Sequence, residues 1–192
     1  MIAILKYSAG NIKSVQNALF RLGYESIITD IPSEILNAEK VIFPGVGEAS
    51  SAIHYLEERG LDKLIISLRQ PVLGICLGLQ LMCRYSEEGD TKCLGIFDSD
   101  VRLFPPVEKI PHMGWNNCLT MKGDLFNGIT IKDDLYYVHS YYAEISSSTI
   151  ATCDYILPFS AAMQKGNFYA TQFHPEKSAE TGEKILKNFL EL

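Results

Sequence analysis

The sequence predicts an α/β fold: an open, mostly parallel twisted sheet with helices on both faces and antiparallel strands added in the C-terminal half. Three observations predict it. Apolar strand-like runs alternate with helix-periodic segments through the first half of the chain. The second half is richer in strand-like runs. Glycine and proline punctuate the joins between segments, as expected for short connections.

The elements follow in order. "IAILKY" reads as a buried strand, and Ile12, Val15, Leu19 and Leu22 then recur at helical spacing until Gly23 stops the helix. "YESIITD" is a second strand and "KVIFPG" a third, closed by Pro44 and Gly45. Ala49 to Leu68 is helical in pattern with a break at Gly60. "PVLGI" is a fourth strand, and Leu77 to Tyr85 is read as a helix. "LYYVHSYYAEI", "FSAAMQ" and "NFYATQF" read as further strands on the same sheet. The closing "TGEKILKNFLEL" is an amphipathic helix with Ile185, Leu186, Phe189 and Leu190 on one side. No repeat, linker or low-complexity tract divides the chain, so residues 1–192 are expected to form one domain.

Composition narrows the class. With 47% apolar and 21% charged residues the chain has the balance of a globular protein. Its net charge of -6 argues against nucleic acid or an anionic membrane surface as main partner. No apolar run approaches bilayer length, and "MIAILKYSAG" reads as a first strand rather than a signal peptide. The five cysteines are odd in number and form no C-x-x-C pair, so neither a disulfide framework nor a metal site is expected, and a reducing cytoplasm is the simple reading.

Cys76 stands apart from the other four. Gly74-Ile75-Cys76-Leu77-Gly78 has the form G-x-C-x-G, the thiol version of an elbow in which a tight strand-to-helix turn lifts a nucleophile above the sheet. The two glycines allow strand and helix backbones to come close. Free N–H groups at the helix start favour a thiolate, the reactive form, and the Leu77 N–H points toward an oxyanion on an attacked carbonyl. Cys83, Cys93, Cys118 and Cys153 are read as ordinary buried thiols.

A thiol nucleophile needs a base held by a third group. His174 in "YATQFHPEKS" follows a strand pattern, and so emerges at the same end of the sheet. Glu176, two residues on, can fold back to the imidazole and fix its tautomer. By itself H-P-E would be a solvent-facing turn; its pairing with Cys76 across a sheet edge favours chemistry. His139 reads as a packed or hydrogen-bonded histidine, His112 as surface or interface, and His54, near Glu57 and Glu58, as solvated.

With these motifs in hand, the chain resembles the class I, or triad-type, glutamine amidotransferases. Gly74, Cys76, Gly78 and Gln80 match their G-x-C-x-G-x-Q signature, and His174, Pro175 and Glu176 their H-P-E. "AGNIKSVQNALFRLGY", "VIFPGVGEASSAI", "KIPHMGWN", "YYVHSYYA" and "TQFHPEKSAETGEKILKNF" look more narrowly like the glutaminase subunits of imidazole glycerol phosphate synthase. One departure is visible: Lys6-Tyr7-Ser8 stands where that family usually has Asp-Tyr-Gly.

The resemblance implies a Cys76-His174-Glu176 triad that hydrolyses L-glutamine to glutamate and ammonia without a cofactor. It implies oxyanion donors at Leu77 and at Val46 and Gly47 of the segment Gly45-Val46-Gly47, and a hold on glutamine by Gly45 and Gln80, with Glu88 and the backbone around Ser140 and Tyr141 as further contacts. It also implies a heterodimer with a (β/α)8-barrel cyclase, fed through an ammonia channel, that makes imidazole glycerol phosphate and an aminoimidazole carboxamide ribonucleotide. Met113, Trp115, Tyr136 and Tyr137 suit anchors for that interface. Other readings stay open: an amidotransferase subunit of anthranilate or pyridoxal phosphate synthesis, a non-catalytic module of the same fold, or a cysteine peptidase or other thiol hydrolase. "KIPHMGWN" tells against the first, the intact triad against the second, and Gln80 with "PGVG" against the third.

Overall fold

The computed structural model describes residues 1–7 and 10–192; Ser8 of the departing Lys6-Tyr7-Ser8 run lies outside the described residues. Strand and helix alternate first: β1 (Ile2–Leu5), α1 (Ile12–Arg21), β2 (Ser26–Thr29), α2 (Pro32–Asn37), β3 (Lys40–Phe43), α3 (Ala49–Glu58), α4 (Leu61–Ser67), β4 (Val72–Ile75) and α5 (Leu77–Met82). Strands then dominate: β5 (Tyr85–Ser86), β6 (Thr91–Lys92), β7 (Asp100–Leu103), β8 (His112–Asn116), β9 (Cys118–Met121), β10 (Leu135–His139), β11 (Tyr141–Ala143), β12 (Thr149–Tyr155), β13 (Leu157–Lys165) and β14 (Phe168–Thr171). A 3₁₀ turn, Pro175–Lys177, leads into α6 (Ala179–Leu190).

The central sheet runs β2-β1-β3-β4-β14-β13-β12-β9. Its first five strands are parallel, and β13, β12 and β9 continue it antiparallel. The parallel strands β1 and β4 are apolar at every position and buried throughout, because helices cover both faces. On one face, Ile53 and Leu56 of α3, Leu61 and Ile65 of α4 and Leu79 and Leu81 of α5 share a core. On the other, Val15 and Leu19 of α1 pack with Ile185, Leu186 and Phe189 of α6. No helix among the described residues is long and apolar enough to cross a membrane.

The expected elements differ from the observed ones in several places. The run "LYYVHSYYAEI" is not one strand of the central sheet: it breaks at Ser140, so that β10 pairs with β8 and β11 with β7, in two small separate sheets. The helix expected to reach Tyr85 ends at Met82; Cys83 turns extended, and Tyr85 pairs with Lys92 and Asp100 in β5. The short α2 carries a start signal, Pro32 in its first turn, but buries only Ile35, too little for its periodicity to register.

The junction of β4 and α5 is set by contact. A Cβ on Gly78 would overlap the carbonyl oxygen of Phe43 on β3, and one on Gly74 would lie 2.9 Å from the Gly78 carbonyl carbon. Helix and sheet therefore meet at backbone distance. Gly78→Ala sets two effects against each other. Alanine in a helix gains up to about 1 kcal/mol over glycine, while forcing atoms into a filled interior costs about 3 kcal/mol. The clash wins, and the variant is expected to melt well below the wild type; a melting temperature equal to or above it would show that α5 can move off β3 freely.

Candidate active site

Cys76 is the single residue between β4 and α5 and sits at φ 53°, ψ −104°. A side chain with a Cβ rarely occupies that region, and holding it there costs on the order of 1–3 kcal/mol. Backbone bonds fix it: the Cys76 N–H donates to the Thr171 carbonyl at 2.7 Å, and the Gln80 N–H donates to the Cys76 carbonyl at 3.2 Å. The sulfur opens onto a cleft of about 250 Å³ lined by Val46, Gly47, Leu77, Gln80 and Glu88, with Ser140 and Tyr141 on the facing wall. At roughly 30 Å³ per water in the liquid, that is space for about eight water-sized groups, the scale of one amino acid.

His174 follows β14, the strand beside β4, and is almost wholly buried. Its backbone is clamped from two sides. The His174 N–H donates to the Tyr136 carbonyl at 2.9 Å. The Ser178 hydroxyl donates to the His174 carbonyl at 2.7 Å and accepts from the Tyr136 N–H at 2.9 Å. The imidazole Nδ1 bonds Glu176 Oε1 at 2.8 Å, which leaves Nε2 facing the thiol side without a hydrogen-bond partner. Burial alone would lower the pKa of His174, but the nearby Cys76 sulfur, and then Glu176, outweigh it and push it up to about 10.

Several residues of this centre escaped the sequence reading. Asn11, the N-cap of α1 at φ 67°, donates its side-chain amide to Glu176 Oε1, so the carboxylate is tied to a helix start at the far end of the chain. An asparagine ahead of a helical run signals a cap; its partner 165 residues away leaves no local trace. Tyr7 is the second. Its buried hydroxyl donates to the Pro44 carbonyl, bracing the "PGVG" segment against β1. Neighbouring Lys6 is exposed, and its N–H bonds the Thr29 carbonyl at 2.8 Å.

The expected oxyanion donors and substrate contacts are arranged as follows. The Leu77 N–H is occupied by the Gly45 carbonyl at 3.3 Å, so it is not free for an oxyanion here. The Val46 carbonyl accepts from the Gly10 N–H at 3.1 Å, and Gly47 stands at φ 145°. Gln80 Nε2 donates to the Tyr141 carbonyl at 3.0 Å. Glu88 Oε2 accepts from the Ala49 N–H at 2.8 Å; burial raises its pKa more than that bond lowers it. The Ser140 carbonyl is engaged by the Phe104 N–H at 3.0 Å.

Three of the four expected interface residues lie on one exposed face. Met113 and Trp115 of β8 are 62% and 55% exposed. The partly exposed Tyr136 sits across from Trp115 in register, its ring 5.8 Å away. Tyr137 is a correction: strand alternation turns it inward, where it is fully buried with its hydroxyl 3.7 Å from Cys118 Sγ. His112, expected at the surface, is also buried, stacked on Tyr155 at 4.1 Å and Tyr137 at 4.9 Å, and burial lowers its pKa to about 4. His139 is packed and hydrogen-bonded as expected, to His112 and the Tyr141 carbonyl. His54 is exposed beside Glu58, and the other four cysteines are buried free thiols. No group of three or more His, Cys, Asp or Glu among the described residues could hold a metal ion.

A thiol on a strained elbow, an imidazole and a carboxylate behind it make the constellation of a thiol-nucleophile enzyme. The chain belongs to the class-I glutamine amidotransferase family, whose sequence model matches residues 3–192. Among curated relatives, the imidazole glycerol phosphate synthase subunit HisH of Bacteroides fragilis strain YCH46 is 60% identical, covering 100% of this chain and 99% of its own. The subunit of that name from Bacteroides thetaiotaomicron is 56% identical over the same shares. Among solved structures, PurLQS from Thermotoga maritima superposes with a TM-score of 0.72 at 15% identity, covering 99% of this chain and 97% of the other, a likeness of fold.

The ionic pairing predicts how His174 titrates. Its raised pKa contributes stability that is complete below the ordinary value near 6.5 and is lost as pH rises through about 10. Ring ¹⁵N NMR is expected to find His174 charged through neutral pH. In Cys76→Ser, with the thiolate charge gone, its titration moves down. Identical titration in the two proteins would mean that Cys76 is not the source of the charge.

Proposed function

We propose that this chain is the glutaminase subunit of an imidazole glycerol phosphate synthase, acting in histidine biosynthesis as a single amidotransferase domain over residues 1–192. The observation that carries it is the facing pair Cys76 and His174, raised at the ends of adjacent strands β4 and β14 over a cleft sized for one amino acid. The relatives' shared name and full-length coverage supply the pathway.

The Cys76 thiolate attacks the side-chain amide carbon of L-glutamine. His174, charged and aimed by Glu176, gives its proton to the departing nitrogen, so the C–N bond breaks and ammonia leaves. A water then attacks the thioester carbon, His174 takes its proton, and the C–S bond breaks to give glutamate and the thiolate again. No cofactor enters. Glu88, with a carboxylate in the cleft, complements the α-ammonium group of glutamine, while Gln80 and the backbone at Ser140 and Tyr141 border the same end.

The oxyanion donors require one movement. Turning over the Gly45–Val46 peptide takes the Gly45 carbonyl off the Leu77 N–H and points the Val46 N–H into the cleft. Glycine tolerates both orientations, and the next peptide is anchored through Gly10. One flip thus supplies both donors, and binding of a partner subunit near Met113, Trp115 and Tyr136 is a fitting trigger. That partner is read as a (β/α)8-barrel cyclase that receives ammonia through a channel. Ammonia in bulk water at neutral pH is mostly protonated and no longer nucleophilic, which favours direct transfer. A cytoplasmic location follows from the pathway.

Cys76→Ala is expected to lower glutamine-dependent turnover of the two-subunit complex by on the order of 10⁶-fold, the scale of losing a catalytic nucleophile. The same complex supplied with ammonium salts should run at the wild-type rate. Glutamine turnover that survives Cys76→Ala would refute the mechanism. Loss of the ammonium-driven rate would refute a subunit whose task is to supply ammonia.

A further inference from the structure

The sulfur of Cys76 has a neighbour that the triad does not include. Gln172, fully buried between β14 and His174, places Nε2 3.6 Å from Cys76 Sγ, within hydrogen-bonding reach of a sulfur acceptor. An amide side chain can present either its oxygen or its nitrogen, and the two have opposite effects on a thiolate. Here the orientation is dictated by a chain of partners that begins at a backbone atom.

The Tyr141 carbonyl can only accept. The group that Gln80 offers it at 3.0 Å must therefore be the amide nitrogen. That same nitrogen lies 3.1 Å from the Gln172 side chain, which must answer with its oxygen. Gln172 then has only its NH₂ left for Cys76. The Tyr141 carbonyl is held in turn by His139 Nδ1 at 2.7 Å, which keeps it in place as the start of the chain. The other contact at the sulfur, the Val138 carbonyl at 3.9 Å, lies at the limit of a sulfur hydrogen bond and accepts only from the protonated thiol.

We propose that Gln172 is a further catalytic residue: its side-chain N–H donates to the sulfur of Cys76 and stabilises the thiolate, with the polarity of that bond set by the Tyr141 carbonyl through Gln80. This rests on Cys76 being the nucleophile. His174 supplies the opposing charge and moves protons; Gln172 supplies a neutral donor that stays in place whichever way the proton moves. The sulfur keeps one hydrogen bond when His174 gives its proton away to the leaving nitrogen.

The test is alkylation of the isolated full-length chain by iodoacetamide, with the Cys76 adduct quantified by peptide mass spectrometry. Gln172→Glu keeps the volume and an oxygen for Gln80, but replaces the N–H aimed at sulfur with a carboxylate oxygen that repels a thiolate. Gln172→Met keeps the length and loses both polar ends. Near neutral pH, Cys76 alkylation is expected to fall about tenfold in Gln172→Met, the scale of one hydrogen bond to a charged group, and further in Gln172→Glu. At strongly alkaline pH, where the thiol ionises regardless, both variants should come within about twofold of wild type. A residue that only fills space predicts the reverse order, with Gln172→Glu the milder change. Neutral-pH rates equal to wild type, or an equal loss at both pH values, would overturn the proposal; if Gln172→Glu does not fold, Gln172→Met decides. A second measurement needs no Gln172 variant: in ¹⁵N-labelled protein the Gln172 side-chain amide resonance should move in Cys76→Ala, and an unmoved resonance overturns the proposal equally. Neither measurement uses glutamine, so a chain that passes both yet hydrolyses none would sink the proposed function and leave this assignment standing.

Discussion

The structure depends on one backbone conformation, the positive φ of Cys76 between β4 and α5. Strain of order 1–3 kcal/mol persists only where surroundings over-determine it. Here they do so by contact and by hydrogen bonds. Gly78 lies against the Phe43 carbonyl, so α5 cannot slide along β3. The Thr171 carbonyl holds the Cys76 N–H from β14, and the Gln80 N–H holds its carbonyl from inside α5. Each bond contributes about 1 kcal/mol net, comparable with the strain it opposes. The elbow is stable because three elements meet there, not because its own residues favour the turn.

That dependence on tertiary contact explains what was legible. The parallel half of the sheet could be read because β1, β3 and β4 are apolar runs separated by helical periods. The elbow could be read because only glycine permits the approach on either side of the thiol. The strand-rich half was harder. Adjacent runs in "LYYVHSYYAEI" have similar composition, and nothing local says that β10 and β11 belong to different sheets. Alternation does separate Tyr136 from Tyr137, but only once the strand's register against β8 is known. Asn11, Tyr7 and Gln172 were missed for a related reason: each acts through a partner distant in sequence, and a single chain shows no trace of such pairs.

His174 is tied to the outer strands as firmly as to its carboxylate. Tyr136 bonds His174 directly through its carbonyl and indirectly through Ser178. The same residue presents its ring beside Trp115 on the exposed face. A load placed on that face therefore reaches the His174 backbone through three hydrogen bonds, one direct and two by way of the Ser178 hydroxyl. On the other side of the cleft, the Tyr141 carbonyl orders Gln80 and Gln172 and follows β10 by a single residue. The surroundings of Cys76 are thus set from β10 and β11, outside the central sheet that carries it.

A sulfur beside a charged imidazole and an occupied Leu77 N–H stand side by side, and under the proposed mechanism the two set what the isolated chain can do. The imidazole of His174 is held in its charged form beside the sulfur of Cys76. The tetrahedral oxygen that follows would find the Leu77 N–H already bonded to Gly45. Withholding one such donor costs about 10²–10³ in turnover, whereas the bond that withholds it, at 3.3 Å, is an ordinary peptide contact of about 1 kcal/mol net. Under the proposed mechanism a modest local preference therefore suppresses a much larger catalytic term, because the donor counts most at the transition state. Such an imbalance suits a subunit whose product is useful only when an acceptor is present: a partner needs to shift one peptide by a small free energy, and the nucleophile can stay assembled throughout.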